Sequence, residues 1–213
     1  FSGNHADRLG GAVFIGRSTL EMTNSTIANN EAANDKNMSS PGYRGMGGGV
    51  YVRIGSTTDL PVNSIFRNLT IAGNTAGYSG GGISGSTAQA SMLTRLQNTI
   101  VANNTAEGSS TGPNSNCSVT LIELGGNIQS AGSVLCSSSI LTAPANLGSL
   151  GNYGGPTQTV PLQAGSPAIN HGVAGCPARD QRGYGRSGVC DSGAFEYNGI
   201  ALNRKLFTPY IRK

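Results

Sequence analysis

The chain has 213 residues, a formal net charge of +4 and 11% charged side chains, with 33 glycines and no tryptophan. So few charges exclude ordinary charge-rich disorder, and the length suffices for one domain with its own core. The basic residues of the body stand singly with no aromatic residues between them, which excludes a nucleic-acid-binding stripe.

In chain order, the first recurring signal is an Asn-x-Ala turn closing an apolar run. It occurs as FSGNHA (1–6), TIANNEA (26–32), TIAGNTA (70–76) and IVANNTA (100–106). Asn4, Asn30, Asn74 and Asn104 share one phase at separations of 26, 44 and 30 residues. A unit that accepts insertions without losing phase is the pattern of a solenoid, in which extra residues loop outward. Ahead of each later turn lies a glycine cluster opening into apolar residues: GGAVFIG (10–16), GGGVYVRIG (47–55) and GGGISG (80–85), aligned here on Ala12, Val50 and Ile83. Between the two signals a further strand aligns on Asn24, Asn68 and Asn98. Met22, Phe66 and Leu96 precede these asparagines by two residues, and Ile27, Ile71 and Val101 follow by three. Same-phase apolar residues predict parallel in-register rows, and same-phase asparagines predict a structural ladder through Asn4, Asn30, Asn74 and Asn104.

The residues from Ala33 to Met46, with Tyr43 and Arg44, form the longest insertion and are expected to loop outward. Of the sequons at Asn24, Asn37, Asn68, Asn103 and Asn116, only Asn37 falls in that loop, so it is the candidate glycosylation site. GGGISG matches the spacing of a dinucleotide-binding loop, but the following segment aligns with the repeat strands and no acid follows at the required distance. After Ala106 the phase weakens, leaving about five tiers and a body about 24 Å tall at about 4.8 Å per strand.

Cys117, Cys136, Cys176 and Cys190 lack any CxxC spacing, so zinc and redox motifs are not indicated. Of the three pairings that four cysteines allow, the sequential one is expected. Each local bridge would contribute about 3 kcal/mol, and both imply an oxidising, extracytoplasmic location. No apolar run is long enough to span a bilayer, and the chain opens on Phe1 rather than Met, so a processed or trimmed form is expected.

The segment LGNYGGPTQTVPLQAGSPAINHGVAGCPARDQRG, followed by GVCDSGAFEY, resembles the end of the bacterial choice-of-anchor Q family. GGPT, GSPAI, CPxxDQRG and CD-GAFE carry the resemblance over residues 148 to 197, and the glycine and Asn-x-Ala repeats extend it upstream. Asn170 stands where the family has an acid. The resemblance implies an all-β fold: a short right-handed parallel β-helix of the pectin-lyase-like kind, similar to the repeats of polymorphic outer-membrane proteins. The expected organisation is β-helix rungs over 1–147, a disulfide-stapled cap over the open end at 148–197, and a basic, apolar tail at 198–213.

Pectate-lyase-like chemistry needs clustered acids around Ca²⁺ and a basic residue to take a proton. The repeat-region acids, Asp7, Glu21, Glu31, Asp35, Asp59, Glu107 and Glu123, are isolated. Asp180, Asp191 and Glu196 gather with Arg179, Arg182, Arg186 and His171, where ion pairs and turn bonds of a cap are the simpler account. No catalytic residue, metal or cofactor is therefore assigned. Assembly is assigned to Phe1, on an uncapped first rung, and to Arg204, Lys205, Leu206, Phe207, Tyr210 and Ile211 of the tail. The expected protein is a non-catalytic, secreted bacterial surface protein, structural or adhesive, whose partners are copies of itself or other surface proteins. The alternative is a carbohydrate-active protein acting on cell-wall or extracellular polysaccharide through the 33–46 loop, Tyr51 and Tyr78.

Overall fold

The computed structural model describes residues 1–33, 45–53, 63–86, 94–108, 115–132 and 134–201. Asn37, Tyr43 and the tail residues Arg204, Lys205, Leu206, Phe207, Tyr210 and Ile211 lie outside the described residues. Among the described residues there is no helix; the chain is all-β and its sheets are parallel. One sheet runs β1 (His5–Ala6), β4 (Glu31–Ala32), β7 (Thr75–Ala76), β11 (Thr105–Ala106). Another runs β2 (Val13–Gly16), β5 (Val50–Arg53), β8 (Ile83–Gly85). The largest holds β3 (Glu21–Ala28), β6 (Ile65–Ala72), β9 (Arg95–Gln97), β10 (Ile100–Ala102), β12 (Ile122–Glu123), β13 (Ile128–Gln129) and β14 (Leu141–Thr142). In the repeats a strand pairs with its counterpart one unit away, as in Ala6 opposite Ala32 and Ala32 opposite Ala76.

The corners between sheets explain the glycine and asparagine pattern. Three rows of residues hold positive φ: Gly10, Gly47 and Gly80; Gly3, Asn29, Gly73 and Asn103; and Asn24, Asn68, Asn98 and Gly126. A side chain at such a corner is strained unless it is absent or is the short amide of asparagine, which tolerates the left-handed region best. These rows also set the true register. Gly10 donates to Met46 O and Gly11 to Gly47 O, so Ala12 occupies the place of the third glycine and Val13, not Ala12, lies opposite Val50. The offset turns Ile15 inward and leaves Phe14 outside, stacked on Tyr51 at 5.8 Å.

Two apolar cores result. The inner one stacks Met22, Phe66 and Leu96 in one row and Ile27, Ile71 and Val101 in another, joined by Ile15, Val52 and Leu69. Each such side chain contributes about 1.5–3 kcal/mol on burial. The cysteines are paired as Cys117–Cys136 and Cys176–Cys190. Cys117 and Cys136 belong to the inner core with Leu121 and Ile140, where Leu121 N donates to Cys136 O. The second core lies outside the largest sheet and joins Ile100 and Ile128 to Ala145, Leu162, Ala168 and Phe195.

That second core corrects the expected position of the 148–197 segment. It lies along the flank instead of over an end: Asn24 Nδ2 donates to Arg179 O, Ala194 N to Thr70 Oγ1, Gly193 N to Asn98 O and Ser192 Oγ to Gly126 O. The physical reason is that Thr70, Ile100 and Ile128 present an outward row needing cover, while the far end of the inner core is already filled by Cys117, Val119, Leu121, Cys136 and Ile140.

Down the middle runs a polar row. Asn4 Nδ2 donates to Asn30 Oδ1 at 2.8 Å, Asn30 to Asn74 at 2.8 Å and Asn74 to Asn104 at 2.9 Å; each backbone N–H converges on the same acceptor. Asn74→Leu is expected to remove the acceptor of the Asn30 N–H and of one Asn30 Nδ2–H, and the donor to Asn104 Oδ1 and to the Ile27 carbonyl that Asn74 Nδ2 supplies. It should lower unfolding free energy by about 3 kcal/mol, whereas Asn4→Ala at the exposed end should cost about 1 kcal/mol. Urea unfolding followed by circular dichroism checks both.

Candidate functional site

The described residues offer two polar constellations, the first-tier edge and the charged cluster of the flanking segment. The edge is built by β1, β2 and β3, each the outermost strand of its sheet at the same end. Phe1 and Ser2 cover only the last part of β3: Ala28 N donates to Phe1 O, the Phe1 amine donates to Thr26 O at 2.8 Å, and Ser2 bridges Ala28. Burial pushes the pKa of this amine below its usual range. Glu21 to Ser25 and the outer sides of β1 and β2 remain without a paired strand among the described residues. By strand phase Phe1 lies over Ile27, a fully buried position, while its own side chain is 61% exposed, with no described residue stacked on its outer side.

Asn4 is the terminal member of the polar row and is exposed. Its backbone N–H and Nδ2 both donate to Asn30 Oδ1, and its own Oδ1 accepts no hydrogen bond from a described residue. Beside it His5 faces Glu31 at 3.1 Å and Asp7 at 3.5 Å, an exposed trio worth little to stability. A hollow of about 430 Å³ separates this edge from the flanking segment, lined by Phe1, Asn24, Thr26, Thr157, Gln158 and Gln181 among others.

The other end of the row was not legible as such in the sequence. Asn104 Nδ2 donates to Asn116 Oδ1, and Asn116 Nδ2 donates to the backbone O and Oγ of Ser130. Asn116 lacks the Ala that marks the other members and follows Asn104 by only 12 residues. Its sequon is therefore a ladder position, 1% exposed. Asn127 makes a related internal set, accepting from Thr99 N and donating to Leu96 O.

The charged cluster is closed upon itself. Asp180 pairs with Arg182 at 2.7 Å and also accepts from the N–H groups of Arg182, Tyr184 and Glu196. The Arg182 guanidinium lies 3.5 Å from the Phe195 ring centroid and 4.2 Å from that of Tyr184. Arg186 pairs with Glu196 at 2.7 Å and reaches Asn24 Oδ1 and Gly193 O. Asp191 accepts from the backbones of Asn170 and Tyr197, so Asn170 contributes through its N–H and not through an acid. His171 stands apart, and Arg179 contributes its carbonyl. These groups hold the flanking segment to the strands. The second disulfide serves the same end, with Cys176 Sγ near the amides of Asn68 and Asn98.

Gly80, Gly81 and Gly82 are likewise occupied by neighbouring backbone: Gly81 donates to Ser115 O and Gly82 to Asn116 O, leaving no phosphate cradle there. Among the described residues no group of three or more His, Cys, Asp or Glu side chains has the geometry of a metal site, and no helix is long and apolar enough to cross a membrane. Comparison with protein-family models, curated proteins and solved structures finds no match.

Burial, followed by the nearby Asp191 charge, raises the pKa of Glu196, against the opposing bonds from Asp191 N and Arg186. A carboxyl with a raised folded pKa holds its proton longer in the folded state, so its contribution is fully present below about 4.5 and is lost as pH rises through the folded value. The stability of the natural chain relative to Glu196→Gln should thus fall as pH rises above 4.5 and be flat below it. Paired urea titrations between acid and neutral pH measure this difference.

Proposed function

We propose that the protein is a non-catalytic, extracytoplasmic structural module, a short right-handed parallel β-helix of a bacterial cell surface, that associates through its first-tier edge. The observation that carries this reading is the in-register stacking of parallel strands, in which β1, β2 and most of β3 have an outer side without a paired strand among the described residues, beside Phe1 and Asn4. Unpaired parallel edges are templates for strand addition, and proteins that do not use them blunt them with charge, proline or a bulge. Here β2 carries the apolar Phe14 outward.

Three further features support it. Strands that pair only one unit apart, with three left-handed corners per unit, are the arrangement a coiled parallel solenoid requires. Two disulfides fit an oxidising compartment. Asp180, Arg182, Arg186, Asp191 and Glu196, the charges a catalyst would turn toward substrate, are engaged in holding the flanking segment.

The carbohydrate-active alternative would act on acidic or neutral polysaccharide through outer strands near Tyr51 and Tyr78. Of the three tyrosines that reading relies on, Tyr43 lies outside the described residues, and Tyr51 is buried against Phe14 and offers no stacking platform. Incubation of the whole chain with a panel of acidic and neutral polysaccharides should yield no new reducing ends, no unsaturated products and no micromolar binding by calorimetry. Reproducible cleavage or micromolar affinity would establish the alternative in its place.

A further inference from the structure

The two disulfides differ in what surrounds their sulfurs. Cys117 and Cys136 are fully buried in the inner core with Leu121 and Ile140. Cys176 is half-buried, and together with Cys190 it borders a surface hollow of about 350 Å³. Gly172 lies against this second pair: a Cβ there would stand 2.4 Å from Cys190 Sγ and 3.3 Å from Cys176 Sγ. Gly172 does not hold a positive φ, so its closeness to the sulfurs, and not a backbone turn, is what excludes a side chain. The rim is apolar, with Val173 and Val189 exposed, and the Arg186 charge that borders it is matched by Glu196 at 2.7 Å.

On the side of the strands the same bridge meets amides. Asn98 Nδ2 donates to Cys176 Sγ at 3.1 Å and Asn68 Nδ2 at 3.4 Å, and both asparagines are fully buried. These amides also reach the carbonyl of Val173 and those of Asp191 and Gly193, so they are fixed in place by the flanking segment. A disulfide sulfur is a poor acceptor and a thiolate a strong one. Two buried amide donors on Cys176 Sγ therefore favour that sulfur as the one to take the electron pair when the bond opens.

We propose that Cys176–Cys190 is a thiol-exchange site, at which a small thiol entering the hollow becomes joined to Cys190 while Cys176 leaves as a thiolate held by Asn68 and Asn98. The site stands apart from the association reading above and adds a point of covalent attachment to the module. The incoming thiol gives its proton to solvent, and its thiolate attacks Cys190 Sγ. A new S–S bond forms there as the Cys190–Cys176 bond breaks, and the electron pair of that bond passes to Cys176 Sγ. One disulfide replaces another, so no oxidant or reductant is consumed. The flanking segment stays in place without the bridge, because the Asp180–Arg182 and Arg186–Glu196 pairs and the bond from Asn24 to Arg179 O still hold it. Cys117–Cys136 takes no part, since its sulfurs lie in the inner core.

Reduced glutathione serves as the probe thiol. The whole folded chain is incubated with it at fixed pH, quenched at early times with N-ethylmaleimide and digested for mass spectrometry. Glutathione is expected on Cys190 and maleimide on Cys176, with Cys117–Cys136 intact and the circular dichroism spectrum unchanged. Asn98→Asp keeps the acceptor for Val173 N and suits the positive φ of that corner, but it sets a carboxylate where Cys176 has a donor. It should slow the exchange about tenfold, whereas a merely structural role for Asn98 would loosen the segment and speed it. Glutathione on Cys176, no mixed disulfide at any time, both bridges opening at one rate, or exchange only after urea has unfolded the chain would each overturn the proposal. So would an Asn98→Asp chain that exchanges as fast as its parent or faster. The comparison of the two bridges in the unsubstituted chain stands whether or not the variant folds.

Discussion

The structure depends on satisfying polar groups that its own corners bury. Parallel strands that change sheet three times per unit need three tight left-handed turns, and the residues able to make them without strain are glycine and asparagine. Directly after the corner residues Gly3, Asn29, Gly73 and Asn103 comes an asparagine whose amide lies along the stack, and a buried amide left unpaired would cost more than a typical hydrogen bond returns. Stacking like residues in register resolves this: Asn30, Asn74 and Asn104 each give and receive along the stack. The apolar rows of Ile27, Ile71 and Val101 follow from the same register, because the corner fixes which side chains turn inward.

A different asparagine row serves tertiary packing. Asn24, Asn68 and Asn98 stand at corners facing outward, and their amides bond the backbone of the flanking segment at Arg179, Asp191 and Val173. Gly126 takes the fourth place, where Ser192 bonds its carbonyl. The segment is held as a strap across successive units, with Arg182 between Tyr184 and Phe195 and the Arg186–Glu196 pair beneath it. Breaking either buried ion pair leaves a desolvated charge, so these groups specify where the strap lies more than they add stability.

A stack of this kind is polar along its axis. Strand direction, amide direction and the order of carbonyl and N–H groups all repeat with the same sign, so its two ends differ chemically even where their shapes agree. The far end is closed by the Cys117–Cys136 pair, Leu121 and the Ser130 bonds. Among the described residues the near end presents an acceptor, strand edges and an exposed aromatic ring.

Much of this was legible in the residues. Period and phase alone identified the repeat strands, the inward rows and the four asparagines, because stacked positions in register restrict which residue types can recur there. The sequence alone also favoured pairing neighbouring cysteines. It misplaced β2 by one residue at Ala12, since Gly10 and Gly11 do not reveal which glycine of the triplet is replaced until Gly10 is seen bonded to Met46 O. Asn116 escaped because ladder membership there is set by a spatial neighbour, Asn104, and not by an Asn-x-Ala turn. Only the tertiary structure decided that residues 148–197 flank the strands instead of closing an end, since that depends on which apolar row, outer or terminal, lacks cover. Only it revealed the sense of the asparagine row, because a sequence records that amides recur, whereas the direction of each donor is set by the backbone corner that holds it.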